Sequence, residues 1–205
     1  MLIGVRGTLE AFDPADHGMG PTLAGIATRV GDLVKRTPNW HLEHLGLDYP
    51  AAALRYWQSR STGARLLTDL VADQAALPSR PDIVLIGLSQ GADVVRRAVI
   101  SPRVAAALPR IRAVVLLGDP TRDPRDGAWH HGTDDQSRGL LARWATPLPE
   151  QLSNQAWSFC LDGDQVAANH NGWLAMWRSG THTRYADNEG HAQDRAAAFV
   201  AEQLR

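Results

Sequence analysis

The sequence predicts an α/β fold, a three-layer α/β/α sandwich around a central, mostly parallel sheet. Three observations carry this. Two segments, Asp82 to Leu88 and Ile111 to Leu117, are unbroken apolar runs rich in β-branched residues, the signature of strands buried on both faces. Segments with apolar residues at helical spacing alternate with the strand-like ones, so each strand has a helix to cover it. With 205 residues, 44% of them hydrophobic and 21% charged, the chain is long enough to bury one sizeable core. Residues 1–205 read as one domain, because no repeat, low-complexity linker or block of like charge marks a joint.

Leu2 to Val5 is a short apolar run ending near Gly7, a strand followed by a turn. Gly20 to Arg36 carries Leu23, Ile26, Ala27, Val30, Leu33 and Val34 at helical spacing, with Pro21 in the first turn, where its missing N–H costs nothing. A strand is expected near Leu45 to Tyr49, stopped by Pro50. Ser59 to Leu77 reads as an amphipathic helix with Leu66, Leu67, Leu70 and Val71 inward and Pro78 beyond its end. Asp82 to Leu88 is a buried strand, Gln90 to Ile100 a helix, and Ile111 to Leu117 a second buried strand. Thr121 to Leu152 reads as an insertion rich in Gly, Pro and charge. Ala156 to Leu161 is a weaker strand, and His191 to Leu204 is the closing amphipathic helix.

Charge and composition exclude several functions. Lys and Arg number 21 against 22 Asp and Glu, a net charge of -1, which leaves no basic excess for phosphate neutralisation and argues against a nucleic-acid binder. No run of about 18 apolar residues exists, so no transmembrane helix is expected. The opening MLIGVRGTLEAF lacks the pattern of a signal peptide. Cys160 is the single cysteine, so no intrachain disulfide can form.

Gly87, Leu88, Ser89, Gln90 and Gly91 spell GxSxG between a predicted buried strand and a predicted helix. That context gives the motif its meaning: a serine on a sharp strand-to-helix turn projects its Oγ above the sheet, and the flanking glycines let neighbouring backbone pass. The helix N-terminus adds free N–H groups at the same point. A serine hydroxyl needs a general base, which a carboxylate orients, and in α/β hydrolases these follow in the order Ser, acid, His. Downstream bases are His130, His131, His170, His182 and His191; acids at strand ends are Asp119, Asp162 and Asp164. Asp119 also reads as a loop-ordering carboxylate, His191 as a solvated first-turn residue and Asp162 as a turn residue. His130, His131, Asp134 and Asp135 lack two ligands at i, i+4 on a helix, so no metal or other cofactor is expected.

At this point the sequence resembles the cutinase family of serine esterases along nearly its whole length. Arg6, Gly7, Thr8 and Glu10 with Gly20 and Pro21 are similar to the family's opening block, Tyr49-Pro50-Ala51 to its YPA, and GLSQGADVV to its GYSQGA. Gly118-Asp119-Pro120, the CxxGD loop from Cys160 to Asp164, and His182 with Tyr185 ahead of an AAxFVxxxL helix continue the match. The resemblance implies a cutinase-like α/β hydrolase with Ser89 as nucleophile, His182 as base and Asp164 as its orienting acid. It implies an oxyanion hole from the backbone N–H groups of Thr8 and Gln90.

The position of the acid loop's second cysteine in secreted members is Ala167 here. Together with the YPAAALRYWQSRSTGA block, Arg122, Gly127 and the DGD at Asp162 to Asp164, this resembles the lysin B esterases of mycobacteriophages, which release mycolic acids from arabinogalactan. That resemblance implies a lipid-ester or mycolyl-ester substrate, peripheral contact with a lipid-rich envelope, synthesis in a host cytoplasm and action on the envelope at lysis. The alternatives are a general cutinase- or lipase-like esterase on short to medium acyl or polyester substrates, a mycolyl or acyl transferase, and a non-catalytic envelope-binding module. Trp173, Met176 and Trp177, on a short predicted helix between acid and base, read either as core or as a substrate-binding rim that grips an acyl chain, with Trp129 and Trp144 of the insertion as the other wall.

Overall fold

The computed structural model describes residues 1–35, 41–79, 81–126, 128–132, 136–168, 180–187 and 191–205, with only the backbone of 129–132. Six strands form one sheet: β1 (Leu2–Val5), β2 (His44–Gly46), β3 (Ile83–Leu88), β4 (Ile111–Leu117), β5 (Trp129–Gly132) and β6 (Ala156–Cys160). Their spatial order is β2-β1-β3-β4-β6-β5, and every pairing is parallel. Parallel neighbours need crossover connections, and helices supply them on both faces. The crossover helices are α1 (Pro21–Val34), α2 (Tyr56–Ala76) and α3 (Gln90–Val99), and α4 (Ala192–Gln203), after the last strand, completes the cover.

Side-chain alternation along the strands divides the core into two layers. On one face Leu2, Val84, Ile86, Val115 and Leu117 meet Leu23, Ile26 and Val30 of α1 and Ala196 and Val200 of α4. On the other face Ile3, Val5, Leu85, Val114 and Leu116 meet Leu67 and Val71 of α2 and Val94, Val95 and Ala98 of α3. Each Val, Leu or Ile among these, fully withdrawn from water, contributes about 1.5–3 kcal/mol. Trp157 of β6 is a core residue, stacked between Phe159 at 5.1 Å and Phe199 at 6.1 Å.

The sequence expectations need four adjustments. The helix expected from Ser59 begins at Tyr56, one turn earlier. The strand expected at Leu45 to Tyr49 occupies His44–Gly46, because Leu47 and Tyr49 turn inward to the α2–α3 layer while their carbonyls accept from Arg6. Leu33 stands on the solvent side of α1. The Thr121 to Leu152 insertion contributes β5, which extends the sheet at its edge beside β6.

Because all strands run the same way, the loops after β1, β3, β4 and β6 emerge at one sheet edge, side by side. That edge is where α/β sheets present functional groups. It holds Thr8, Ser89, Asp119 and Asp164.

Candidate active site

Ser89 sits between β3 and α3 with φ 54 and ψ −118, a backbone region that a residue with a Cβ adopts only under strain. The surroundings hold it there. The Ser89 N–H donates to Leu117 O of β4 at 2.8 Å, and the Ser89 carbonyl accepts from Ala92 N–H at 2.9 Å. Glycine on either side is a packing requirement: a Cβ at Gly91 would lie 1.9 Å from the Val5 carbonyl oxygen, and one at Gly87 would lie 2.5 Å from that of Gly91. The elbow therefore brings α3 directly against the end of β1.

The Ser89 hydroxyl lies 2.8 Å from His182 Nε2, and His182 Nδ1 lies 2.9 and 3.0 Å from the two Asp164 oxygens. Serine, imidazole and carboxylate thus form one hydrogen-bonded chain. Asp164 is fully buried and accepts further bonds from the N–H groups of Val166 at 2.9 Å and Ala167 at 3.2 Å and from the Tyr185 hydroxyl at 2.7 Å. Burial by itself pushes the Asp164 carboxyl up, but the facing His182 charge and these donors outweigh it and hold it below its ordinary value. The Tyr185 phenol is raised well above its ordinary value, first by burial and then by the Asp164 charge, so it remains a proton donor to that carboxylate.

Asp119, the competing acid, is also buried but engaged elsewhere. One oxygen accepts from Arg96 Nε at 3.0 Å and Nη2 at 2.6 Å, the other from the Thr121 N–H and hydroxyl, both at 2.7 Å. Arg96 also pairs with Asp126. His191, the competing base, is exposed at the start of α4 and faces Asp194 at 3.5 Å. His170, Asp134 and Asp135 lie outside the described residues, as do the side chains of His130 and His131. Among the described residues no group of three metal-ligating side chains is present.

Gln90 is completely buried, and its side chain serves the scaffold: Oε1 accepts from the Ser59 hydroxyl at 2.8 Å and Nε2 donates to Ala52 O at 3.1 Å. Its backbone N–H is the first of α3, one of the donors that a helix cannot use internally. Thr8 lies across from Ser89, on a loop that Arg6 and Glu10 shape. Arg6 donates to the carbonyls of Glu10 and Leu47, each at 2.8 Å, while the Glu10 carboxylate accepts from the Gly7 N–H. The Tyr49 hydroxyl donates to Arg6 O at 2.8 Å, which ties this loop to the Tyr49-Pro50-Ala51 segment.

Ser89 and His182 open into a groove of about 370 Å³ lined by Thr8, Ala53, Tyr56, Trp57, Pro120, Leu140, Leu141 and Val166. Its walls are mostly apolar, and the reactive pair is part of its lining. Trp173, Met176 and Trp177 fall outside the described residues. Among those described, the apolar walls come from the start of α2 and from the segment around Leu140, and Tyr56 and Trp57 are residues that sequence reasoning missed. A signal was present: Tyr56, Arg60, Gly63, Leu67 and Val71 fall at helical spacing, so the stripe extends upstream of Ser59, to Tyr56, and brings Trp57 into the same helix.

The sequence of residues 16–204 matches the family model described as Cutinase. No curated protein matches the chain. Among solved structures, a cutinase-like protein from Cryptococcus sp. superposes with a TM-score of 0.77 at 19% identity, over 99% of this chain and 93% of that one. The catalytic core domain of acetyl xylan esterase from Trichoderma reesei gives 0.74 at 21% identity, over 99% and 97%. Lysin B from Mycobacteriophage D29 gives 0.58 at 22% identity, over 97% and 89%. With the family model matched over nearly all of its length, the chain belongs to the cutinase family.

Proposed function

We propose that this protein is a serine esterase that cleaves lipid esters through an acyl-enzyme on Ser89, as one domain and without a cofactor. The observation that carries the reading is the unbroken chain from Ser89 Oγ through His182 to the buried Asp164, with links of 2.8 and 2.9 Å. His182 Nε2 takes the hydroxyl proton as Oγ attacks the ester carbonyl, while Nδ1–H donates to Asp164, which fixes the tautomer and stabilises the imidazolium. The N–H groups of Gln90 and Thr8 receive the oxyanion; removing one such donor typically costs about 3 kcal/mol of transition-state stabilisation. Collapse of the tetrahedral intermediate expels the alcohol with the proton from His182. Water then attacks the acyl-enzyme with His182 again as base, releasing the acid and restoring Ser89.

The substrate we favour is a mycolyl ester of envelope arabinogalactan, with the enzyme made in a host cytoplasm and acting on the envelope at lysis. The lysin-B-like sequence blocks support this, as does the apolar rim around the groove: Leu9, Leu54, Trp57 and Trp144 are exposed, so a long lipid tail can leave the groove over apolar surface in peripheral contact with the envelope. One observation favours a second reading, an esterase for short to medium acyl chains: the groove is modest in size and its two walls touch through Trp57 and Trp144.

The test is hydrolysis of p-nitrophenyl esters by wild type and Ser89→Ala, followed by lipid release from purified mycolyl-arabinogalactan. Serine-dependent turnover with mycolic acid release supports the favoured substrate. Turnover without release supports the second reading, and retained activity in Ser89→Ala overturns the nucleophile.

A further inference from the structure

The groove has two banks of different origin. Ala53, Tyr56 and Trp57 belong to α2 and the turn before it; Leu140 and Leu141 belong to the segment that leads to Trp144. The banks meet where the rings of Trp57 and Trp144 make an edge-to-face contact, with centroids 5.3 Å apart. Trp57 lines the groove, and Trp144 stands behind it through this contact.

Each ring has an arginine against it. The Arg60 guanidinium lies 4.5 Å from the Trp57 ring centroid, and Arg143 lies 3.6 Å from that of Trp144. Arg60 is buried and pairs with Asp93 at 3.2 Å, and the same carboxylate oxygen accepts from the Tyr56 hydroxyl at 2.9 Å. Asp93 stands in the first turn of α3, four residues after Ser89. The Trp57 wall is therefore built on the helix that carries the nucleophile elbow. The opposite bank is tied down by the Leu141 N–H to Pro120 O at 2.7 Å and the Leu140 N–H to Val166 O at 2.8 Å, the latter residue being part of the loop that holds Asp164.

We propose that Trp57 and Trp144 form the acyl-chain stop of this esterase, specificity-determining residues that set how long a chain the groove seats beside Ser89. This rests on the esterase reading in its second form, the one for short to medium acyl chains, and deepens it. Both rings are partly exposed, at 45% and 39%, and no hydrogen bond links them, so the stop is made by ring area and position alone. A chain that fits packs its end against the pair. A longer one must displace the rings or turn out over the exposed Leu9 and Leu54.

The experiment measures kcat/KM on p-nitrophenyl esters from C4 to C16 for wild type, Trp144→Ala, Trp144→Phe, Trp57→Ala and Ser89→Ala. Wild type is expected to decline beyond medium chains. Trp144→Ala should raise the C16:C4 ratio about tenfold, the low end of the discrimination that one methylene in an apolar pocket provides. Trp57→Ala should raise it similarly, and Trp144→Phe, which keeps an aromatic edge, should return it most of the way. A destabilised fold lowers all chain lengths together and leaves the ratio unmoved, so the ratio separates specificity from damage. An unchanged profile in both alanine variants, with turnover still dependent on Ser89, overturns the chain stop and leaves the esterase reading standing. Turnover that survives Ser89→Ala overturns the esterase reading itself.

Discussion

Two buried carboxylates, Asp119 and Asp164, lie past the ends of adjacent parallel strands, β4 and β6, and both are completely withdrawn from water. They differ in their partners. Asp119 is saturated by Arg96 and Thr121, and Arg96 is held between Asp119 and Asp126. Burial alone would lower the Arg96 pKa, but those two carboxylates outweigh it and raise it above its already high ordinary value. A permanently charged guanidinium can neither take nor return a proton at neutral pH. Asp164 faces an imidazole whose second nitrogen reaches Ser89. The pairing, more than the place in the fold, decides whether a buried strand-end carboxylate braces the structure or orients a base.

The comparison can be broken most forcefully at the serine. Ser89→Ala should keep the fold and lower kcat on a p-nitrophenyl ester by about 10⁴- to 10⁶-fold, read as turnover against an unchanged circular dichroism spectrum. Asp164→Asn removes the acceptor that fixes the His182 tautomer, and kcat should fall about 10⁴-fold. Asp119→Asn should do the opposite: a loss of about 3 kcal/mol in unfolding free energy by urea titration, because Arg96 loses one of its counter-charges in a dry site, with turnover per folded molecule near that of wild type. If the two asparagine variants exchange phenotypes, the acid of this esterase is Asp119.

The contrast also explains what was legible in the sequence. β3 and β4 were readable because strands buried on both faces are continuous apolar runs, and Ser89 because the elbow needs glycines at fixed offsets. The partners of Asp119 and Asp164 were not: Arg96 and Asp119 are 23 residues apart, and Tyr185 and Asp164 are 21 apart, joined by the fold and by no local period. The family motif marks His182 and Tyr185 together, but only the geometry assigns Tyr185 its bond to the acid. β5 was missed because Trp-His-His-Gly, in a segment of Gly, Pro and charge, has neither alternation nor a continuous apolar run; β6 supplies the missing edge that makes it a strand. Trp57 was missed because α2 begins without a side-chain cap, at Arg55, so only the helical stripe reaching back to Tyr56 marks its first turn.

Tyr185→Phe sharpens the comparison at its finest scale. The phenol donates to Asp164 at 2.7 Å and accepts from the Leu161 N–H at 3.2 Å, so its loss takes a donor from a buried carboxylate and an acceptor from a buried amide. The cost in unfolding free energy at pH 7 should be about 2 kcal/mol, in the range for hydrogen bonds to charged groups. The sign of its pH dependence follows from Asp164. A carboxyl held below its ordinary value in the folded protein stabilises the fold above the unfolded pKa of about 3.9, and that stability disappears as the pH falls through the folded value. Removing the Tyr185 donor lets the Asp164 carboxyl rise, so the pH-dependent part of the stability shrinks. The gap between wild type and Tyr185→Phe should therefore be widest near neutrality and narrow as Asp164 protonates in acid, leaving only the loss at the Leu161 amide. Urea titrations at a series of pH values from 7 down to 3 read this directly. A gap that stays constant with pH would mean that the phenol supports the loop through Leu161 alone and does not tune the acid that orients His182.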